Sequence, residues 1–438
     1  MNKSAKPYSE LQIAFLSGVI ATTATFGLSW RNSVKAALQD SPKVIVDRVW
    51  QLVNRDYVDS SFNQQDWKAV RRELLSKNYS SQEEAYAAVH KLLESLEDPY
   101  TRFMAPKEYK YYTSQTSGEI SGIGIRMKFD DTAKRLTIVE ALDNSPAQQA
   151  GIKAGDEILA INGKSVREMS AKEPPELIRG KAGSTVNLQI GREGEKYFNL
   201  ELTRANIEVQ TVNYALKQEG QRRVGYIRLR DFSAHAAKQM QNAINDLEAQ
   251  KADEFVLDLR GNPGGYLHSS IEIAKMWLDN GGIVSMVNRE GKSQKAQANG
   301  NSLTNKPLAI LVDGNSASSS EILTGALQDN NRAVVIGTKT FGKALVQRLH
   351  DLGDGSGITI TTAHYYTPKG TDINRKGITP DINLDLTYSQ RRQLATNPNL
   401  WGTIEDPYYN RALRALSNYE FAGNGKKSTD KKLIAPQG

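Results

Sequence analysis

Three short apolar runs, VGYIRL at 224–229, EFVLDL at 254–259 and LAILVD at 308–313, each lead into a stretch of helical periodicity: AAKQMQNAINDLEAQ, SSIEIAKMWLDN and SEILTGALQD. No other feature restricts the fold as much. Apolar runs of this length suit strands buried on both faces, and strand–helix repetition lays such strands side by side with helices as crossovers. Residues 206–390 are therefore predicted to form an α/β core. Turns that follow the carboxyl ends of its strands collect at one crevice.

The flanking segments follow other periods. Over 43–116, Ile45, Val49, Leu52 and Val53, and then Tyr86, Val89, Leu92 and Leu93, each mark one helix face, which predicts a helical domain. Over 117–205 the runs GIGIRMKF, RLTIVEAL, DEILAING and TVNLQIGR read as short strands in a β-rich module, with a short helix and a tight turn in SPAQQAGIKAGD. Residues 391–423 carry a further helical segment, and 424–438 read as a disordered basic tail. The whole is a multidomain α+β chain. Ahead of it, the low-charge run 11–29 behind Lys3 and Lys6, with Val34-Lys35-Ala36 after it, makes 1–36 a signal peptide or a membrane anchor.

Composition removes several chemistries. The chain has no cysteine, and its five histidines (His90, His235, His268, His350, His364) fall in no metal-ligand spacing, so neither a thiol nucleophile nor a metal cofactor is expected. The formal charge is +7, but Lys3, Lys6, Arg31 and Lys35 against Glu10 supply three of those charges, leaving +4 for the remainder. With basic residues scattered among acids, no nucleic-acid partner is expected.

Three turns of the α/β region carry chemistry. Asp313-Gly-Asn-Ser-Ala-Ser-Ser-Ser-Glu321 joins a buried strand to a helix, so a serine there meets free N–H groups of the first helical turn. Alone, it reads as a helix cap. Thr340-Phe-Gly-Lys-Ala-Leu-Val-Gln347 sets one lysine among apolar residues, and desolvation lowers a lysine's pKa enough for it to accept a proton from serine. Alone, Lys343 is a surface charge. Asp258-Leu-Arg-Gly-Asn-Pro-Gly-Gly265 lets the backbone approach a ligand and aim N–H groups at an anion, or simply turns tightly.

Together with NRDYVD, LEDPYTRFM, GIGI, AGDEILAINGK, GTKTFGKALVQ, AHYYTPKG and GITPDI, these segments resemble the carboxyl-terminal processing proteases over nearly the whole chain. The resemblance implies a PDZ domain at 117–205, a ClpP/crotonase-like peptidase core at 206–390, and a Ser/Lys dyad. It places the nucleophile on Ser318, the general base on Lys343 and a lysine-orienting amide on Gln347. The oxyanion donors fall on the backbone of Ser319 and of Gly264 or Gly265, with Arg260 and Glu321 in support. Ser319 stands where the family has Ala, and Ala344-Leu345 where it has Gly-Ser or Gly-Thr.

The same resemblance makes Gly122, Ile123, Gly124 and Ile125 the carboxylate-binding loop of the PDZ domain, with Leu177 and Ile178 on the pocket wall. The implied partner is a protein with an apolar carboxyl tail, met in the periplasm or thylakoid lumen, with residues 11–29 offering membrane association. The first helical segments look closest to the photosynthetic branch. Three rivals stand beside this reading: a PDZ tail-binding protein on a non-catalytic protease fold, a crotonase-like enzyme, and a Ser-His-Asp enzyme using His350 or His364.

Overall fold

The structure is a computed structural model and describes residues 41–418. The leader at 1–36 with its run 11–29, the last residues of the 391–423 segment and the basic tail 424–438 lie outside the described residues. Among the described residues no helix is long and apolar enough to cross a membrane.

The α/β core is a six-stranded sheet. Its strands run in the order Val212–Glu219, Arg222–Leu229, Glu254–Asp258, Leu308–Val312, Val334–Gly337 and Ile382–Asn383, the first antiparallel to the second and the rest parallel. Alternation along each strand divides the burial between two layers. Phe255, Leu257, Leu308, Ile310 and Val312 pack with the helices Ala236–Ala249, Leu267–Trp277 and Ser319–Asp329. Val256, Ala309, Leu311, Val334 and Ile336 face the helix Pro407–Asn418 on the other side. Burying each Val, Leu, Ile or Phe among them contributes about 1.5–3 kcal/mol. Burial on both faces explains why these strands read as unbroken apolar runs.

A second, antiparallel sheet is what the strand–helix reading of 206–390 did not anticipate. It pairs Arg102–Met104, Gly357–Tyr366, Gly282–Asn288 and Ser293–Gln297, with Leu345–Asp351 also on Gly357–Tyr366. The amino-terminal helices Pro42–Asp56, Trp67–Ser76 and Gln82–Glu94 bury Val46, Val49, Val53, Val89 and Leu93 in one core with Ile358 and Ile360 of this sheet. Their apolar stripe thus closes on the α/β body.

The β-rich module is a separate sheet in the order Ile125–Asp130, Arg135–Ala141, Glu157–Ile161, Thr185–Gly191 and Phe198–Thr203, around Ile138, Ile158, Ile161, Val186 and Leu188. Its first strand is an edge strand. Entry and exit form one two-stranded ribbon, Glu119–Gly122 against Ala205–Glu208, closed by a Val209 N–H to Gly118 O bond of 2.7 Å.

Candidate active site

Strand Leu308–Val312 runs into the turn 313–318, which is fastened to the turn after strand Glu254–Asp258. Asp313 Oδ1 accepts from Gly261 N at 3.0 Å, Ser316 Oγ donates to Leu259 O at 2.8 Å, and Ser320 Oγ donates to Asn262 O at 2.9 Å. The chain then turns sharply into the helix at Ser318, whose φ of 56° and ψ of −114° are costly for a residue with a Cβ. The surrounding bonds hold it there. Ser318 becomes the residue just before the helix, and Ser319 its first helical residue, with the Ser319 N–H donating to no acceptor among the described residues.

The glycine turn lies against this corner. A Cβ on Gly264 would come within 2.9 Å of Ser318 Cβ and 3.0 Å of Ser319 N, so only glycine fits. The Gly264 N–H is committed to Asn262 Oδ1 at 2.9 Å, whereas the Gly265 N–H has no acceptor among the described residues. Gly265, at φ +145°, packs on Phe232, whose carbonyl a Cβ would meet at 2.5 Å. The extra hydroxyl of Ser319 donates to Gly265 O at 3.0 Å and so ties the two turns together.

Lys343 lies in the turn after strand Val334–Gly337. Glu321, buried in the first turn of the helix Ser319–Asp329, organises that turn: its Oε1 accepts from Gly342 N at 2.7 Å and Thr340 Oγ1 at 2.6 Å, and its Oε2 from both Lys343 N and Ser318 N at 2.9 Å. Burial pushes the Glu321 carboxyl above the ordinary range, while these four donors pull the other way. The Tyr365 hydroxyl lies 3.0 Å from Ser318 O and 2.5 Å from Lys343 O. Burial keeps it a phenol and therefore a donor. One carboxylate oxygen and one hydroxyl thus bring the backbones of residues 318 and 343 together.

The lysine side chain is partly buried, next in sequence to a wholly buried Ala344 and a half-buried Leu345. Burial lowers its pKa below the ordinary lysine value; Asp98 and Glu321 oppose the shift and Arg102 adds to it. Its Nζ sits 4.4 Å from the centroid of the Tyr100 ring, and no hydrogen bond joins it to Ser318 Oγ among the described residues. The Gln347 amide, past a bulge at Val346/Gln347, donates to Thr361 Oγ1 at 3.3 Å. That bond carries Gln347 toward the strand Gly357–Tyr366, not to the lysine amine.

Arg260 points away from this corner. It is buried with bidentate bonds to Asp258 (2.9 and 2.5 Å) and Asp406 (3.0 and 2.7 Å), which hold its guanidinium charged and Asp258 ionised. It braces the glycine turn against the carboxyl-terminal segment. His350 lies 3.1 Å from Asp56 on the strand Leu345–Asp351, where the amino-terminal helices pack, and His364 is paired with Leu345. Neither has a hydrogen bond to Ser318. Among the described residues no cluster of His, Asp and Glu is arranged to hold a metal ion.

In the β-rich module, Gly122 pairs with Ala205, Ile123 is buried, and Gly124 (φ +78°) sits where a Cβ would fall 2.2 Å from Ser145 Cβ. The carbonyls of Ile123 and Gly124 accept from Ala147 and Leu142 at 2.9 and 2.8 Å, while their own N–H groups donate to nothing among the described residues. Ile125 opens the edge strand. Leu177 is half-buried and Ile178 sits in the module's core; Arg204 donates to both carbonyls, at 2.8 and 2.9 Å.

Sequence reasoning missed Tyr365, Thr340, Tyr100 and Asp98. AHYY and LEDPY contain three of them, but nothing in local periodicity separates Tyr365 from Tyr366.

Comparison with known proteins gives a consistent answer. Residues 223–384 match the peptidase family S41 and residues 121–202 the PDZ domain. A carboxyl-terminal-processing protease of Picosynechococcus sp. is 42% identical over 372 residues, covering 85% of this chain and 89% of that protein. Carboxyl-terminal-processing peptidase 2, chloroplastic, of Arabidopsis thaliana is 34% identical over 406 residues, covering 87% and 78%. A solved photosystem II D1 C-terminal processing protease is 34% identical, with a TM-score of 0.52, covering 79% of this chain and 93% of that one.

Proposed function

The chain belongs to peptidase family S41 and is a serine-type carboxyl-terminal-processing peptidase with a PDZ domain; from that premise we propose that Ser318 is its nucleophile and Lys343 its general base. The observation that carries this is the shared Glu321 Oε2, which accepts from the backbone N–H of both residues while burial lowers the lysine's pKa. A desolvated amine is neutral often enough to take the Ser318 hydroxyl proton as Oγ attacks the scissile carbonyl. The negative oxygen then meets the free N–H groups of Ser319 and Gly265, Gly264 being engaged by Asn262. The lysine ammonium returns its proton to the departing amine, leaving an acyl-enzyme. Water, deprotonated by the same lysine, releases the acid. Arg260 braces the glycine turn.

The substrate in this reading is an exported protein with an unfolded, apolar carboxyl tail. The tail pairs with the edge strand Ile125–Asp130 and its carboxylate takes the free N–H groups of Ile123 and Gly124, the mode by which an exposed sheet edge captures a peptide. Cleavage of an unfolded, tailed protein tests both parts. Wild type is expected to cut it, and Ser318→Ala and Lys343→Ala to be inactive while folding normally. Activity surviving in Lys343→Ala would remove the dyad. Mass spectrometry of tails that accumulate in a deletion strain identifies the natural substrate.

A further inference from the structure

The loop before strand Arg102–Met104 is built more firmly than a connection needs. Asp98 Oδ1 accepts from Tyr100 N at 3.0 Å and Asp98 Oδ2 from Thr101 Oγ1 at 2.7 Å. Thr359 Oγ1 donates to Tyr100 O at 2.9 Å, and Thr361 N donates to Thr101 Oγ1 at 3.0 Å. The loop is thereby riveted to the strand Gly357–Tyr366, which also carries Tyr365 and receives the Gln347 amide. What this scaffold presents to the site is the face of the Tyr100 ring, 4.4 Å from Lys343 Nζ.

Lys343 has no hydrogen-bond acceptor for its ammonium among the described residues. Glu321, the nearest carboxylate on the nucleophile's helix, has both oxygens committed to other donors. Asp98 is spent on its own loop, and the Arg102 guanidinium is drawn to the Tyr112 ring at 5.5 Å. The aromatic face is what remains to stabilise the charge.

We propose that Tyr100 is a positioning residue for the general base, its ring holding the Lys343 side chain while the amine is protonated and letting it go toward Ser318 when the proton leaves. A ring face attracts an ammonium and has little hold on a neutral amine, so the protonation step that makes lysine competent is also the step that frees it. The inference rests on the Ser/Lys dyad. The charged side chains that bear on the lysine, Asp98, Arg102 and Glu321, are kept in a change at Tyr100, and Leu or Met in its place keeps apolar cover over the amine.

The test is the pH dependence of kcat/KM on a short peptide for wild type, Tyr100→Phe, Tyr100→Leu and Tyr100→Met, with Lys343→Ala in parallel. Loss of the ring favours the neutral amine, so the acid limb of Tyr100→Leu is expected to move to lower pH by about half a unit. Tyr100→Met, an unbranched alternative should Leu disturb the loop, is expected to shift alike. Tyr100→Phe keeps the π face and should superimpose on wild type. A Leu or Met variant that lowers the plateau without moving the limb, or a Phe variant that moves as far as Leu, overturns the role of the ring. If Lys343→Ala still cleaves, the dyad itself falls and the inference with it; if that variant is dead and only the limb fails to move, Tyr100 alone is misassigned.

Discussion

At the scale of single residues, the site opposes two costs. Ser318 is held in a conformation that a side chain disfavours, and Lys343 is held partly out of water. The second has a thermodynamic sign that can be measured. Because the folded-state pKa of Lys343 lies below its unfolded value, the unfolded chain binds more protons between the two, and stability contributed by this group rises with pH across that window. Below the folded pKa the full cost of burying an ammonium remains. Lys343→Met, which fills similar space without charge, is therefore expected to abolish cleavage and to raise the melting temperature at acid and neutral pH. The gain should shrink as pH climbs toward 10.5, the ordinary lysine value. A melting temperature unchanged at every pH would show that the amine is solvated.

At the scale of elements, two turns and a helix start meet because three parallel strands end at the same edge. The glycine turn has no room for a side chain. A Cβ on Gly265 would strike the Phe232 carbonyl and push the turn away from Ser319. Gly265→Ala is expected to lower kcat by about 10²–10³-fold, the loss of one oxyanion donor, with a smaller change in KM. Steady-state kinetics on a short peptide check this. These turns were legible in the sequence because each follows a continuous apolar strand and carries its polar residues in a few positions. The antiparallel sheet was not legible. Its strand Leu345–Asp351 is half-buried along most of its length, and Gly357–Tyr366 is buried throughout its first half and alternates only in its second, so neither shows one alternation from end to end. Tyr365 and Thr361 reach the site through that sheet, and so escaped a reading based on local pattern.

At the scale of the molecule, the peptidase body is closed from its carboxyl-terminal side. Asp406 completes the buried ion triad with Arg260 and Asp258, and Trp401 and Tyr408 lie 4.5 and 4.9 Å from the guanidinium. Asp406→Ala would leave a buried cation with one partner and is expected to cost about 3–5 kcal/mol by denaturant unfolding. The residual folded fraction should retain the wild-type KM. The sequence flagged Arg260 but not Asp406, since 146 residues separate them and only the fold makes them neighbours.

The ribbon at Gly118 and Val209 has an engineering meaning. A module whose two ends leave the body side by side is a cassette, and the path of the remaining chain does not depend on what fills the interval. If the module takes the substrate's tail as proposed, exchanging that interval for a peptide-gripping domain with adjacent termini is expected to redirect which proteins are trimmed while leaving the cutting chemistry as it stands.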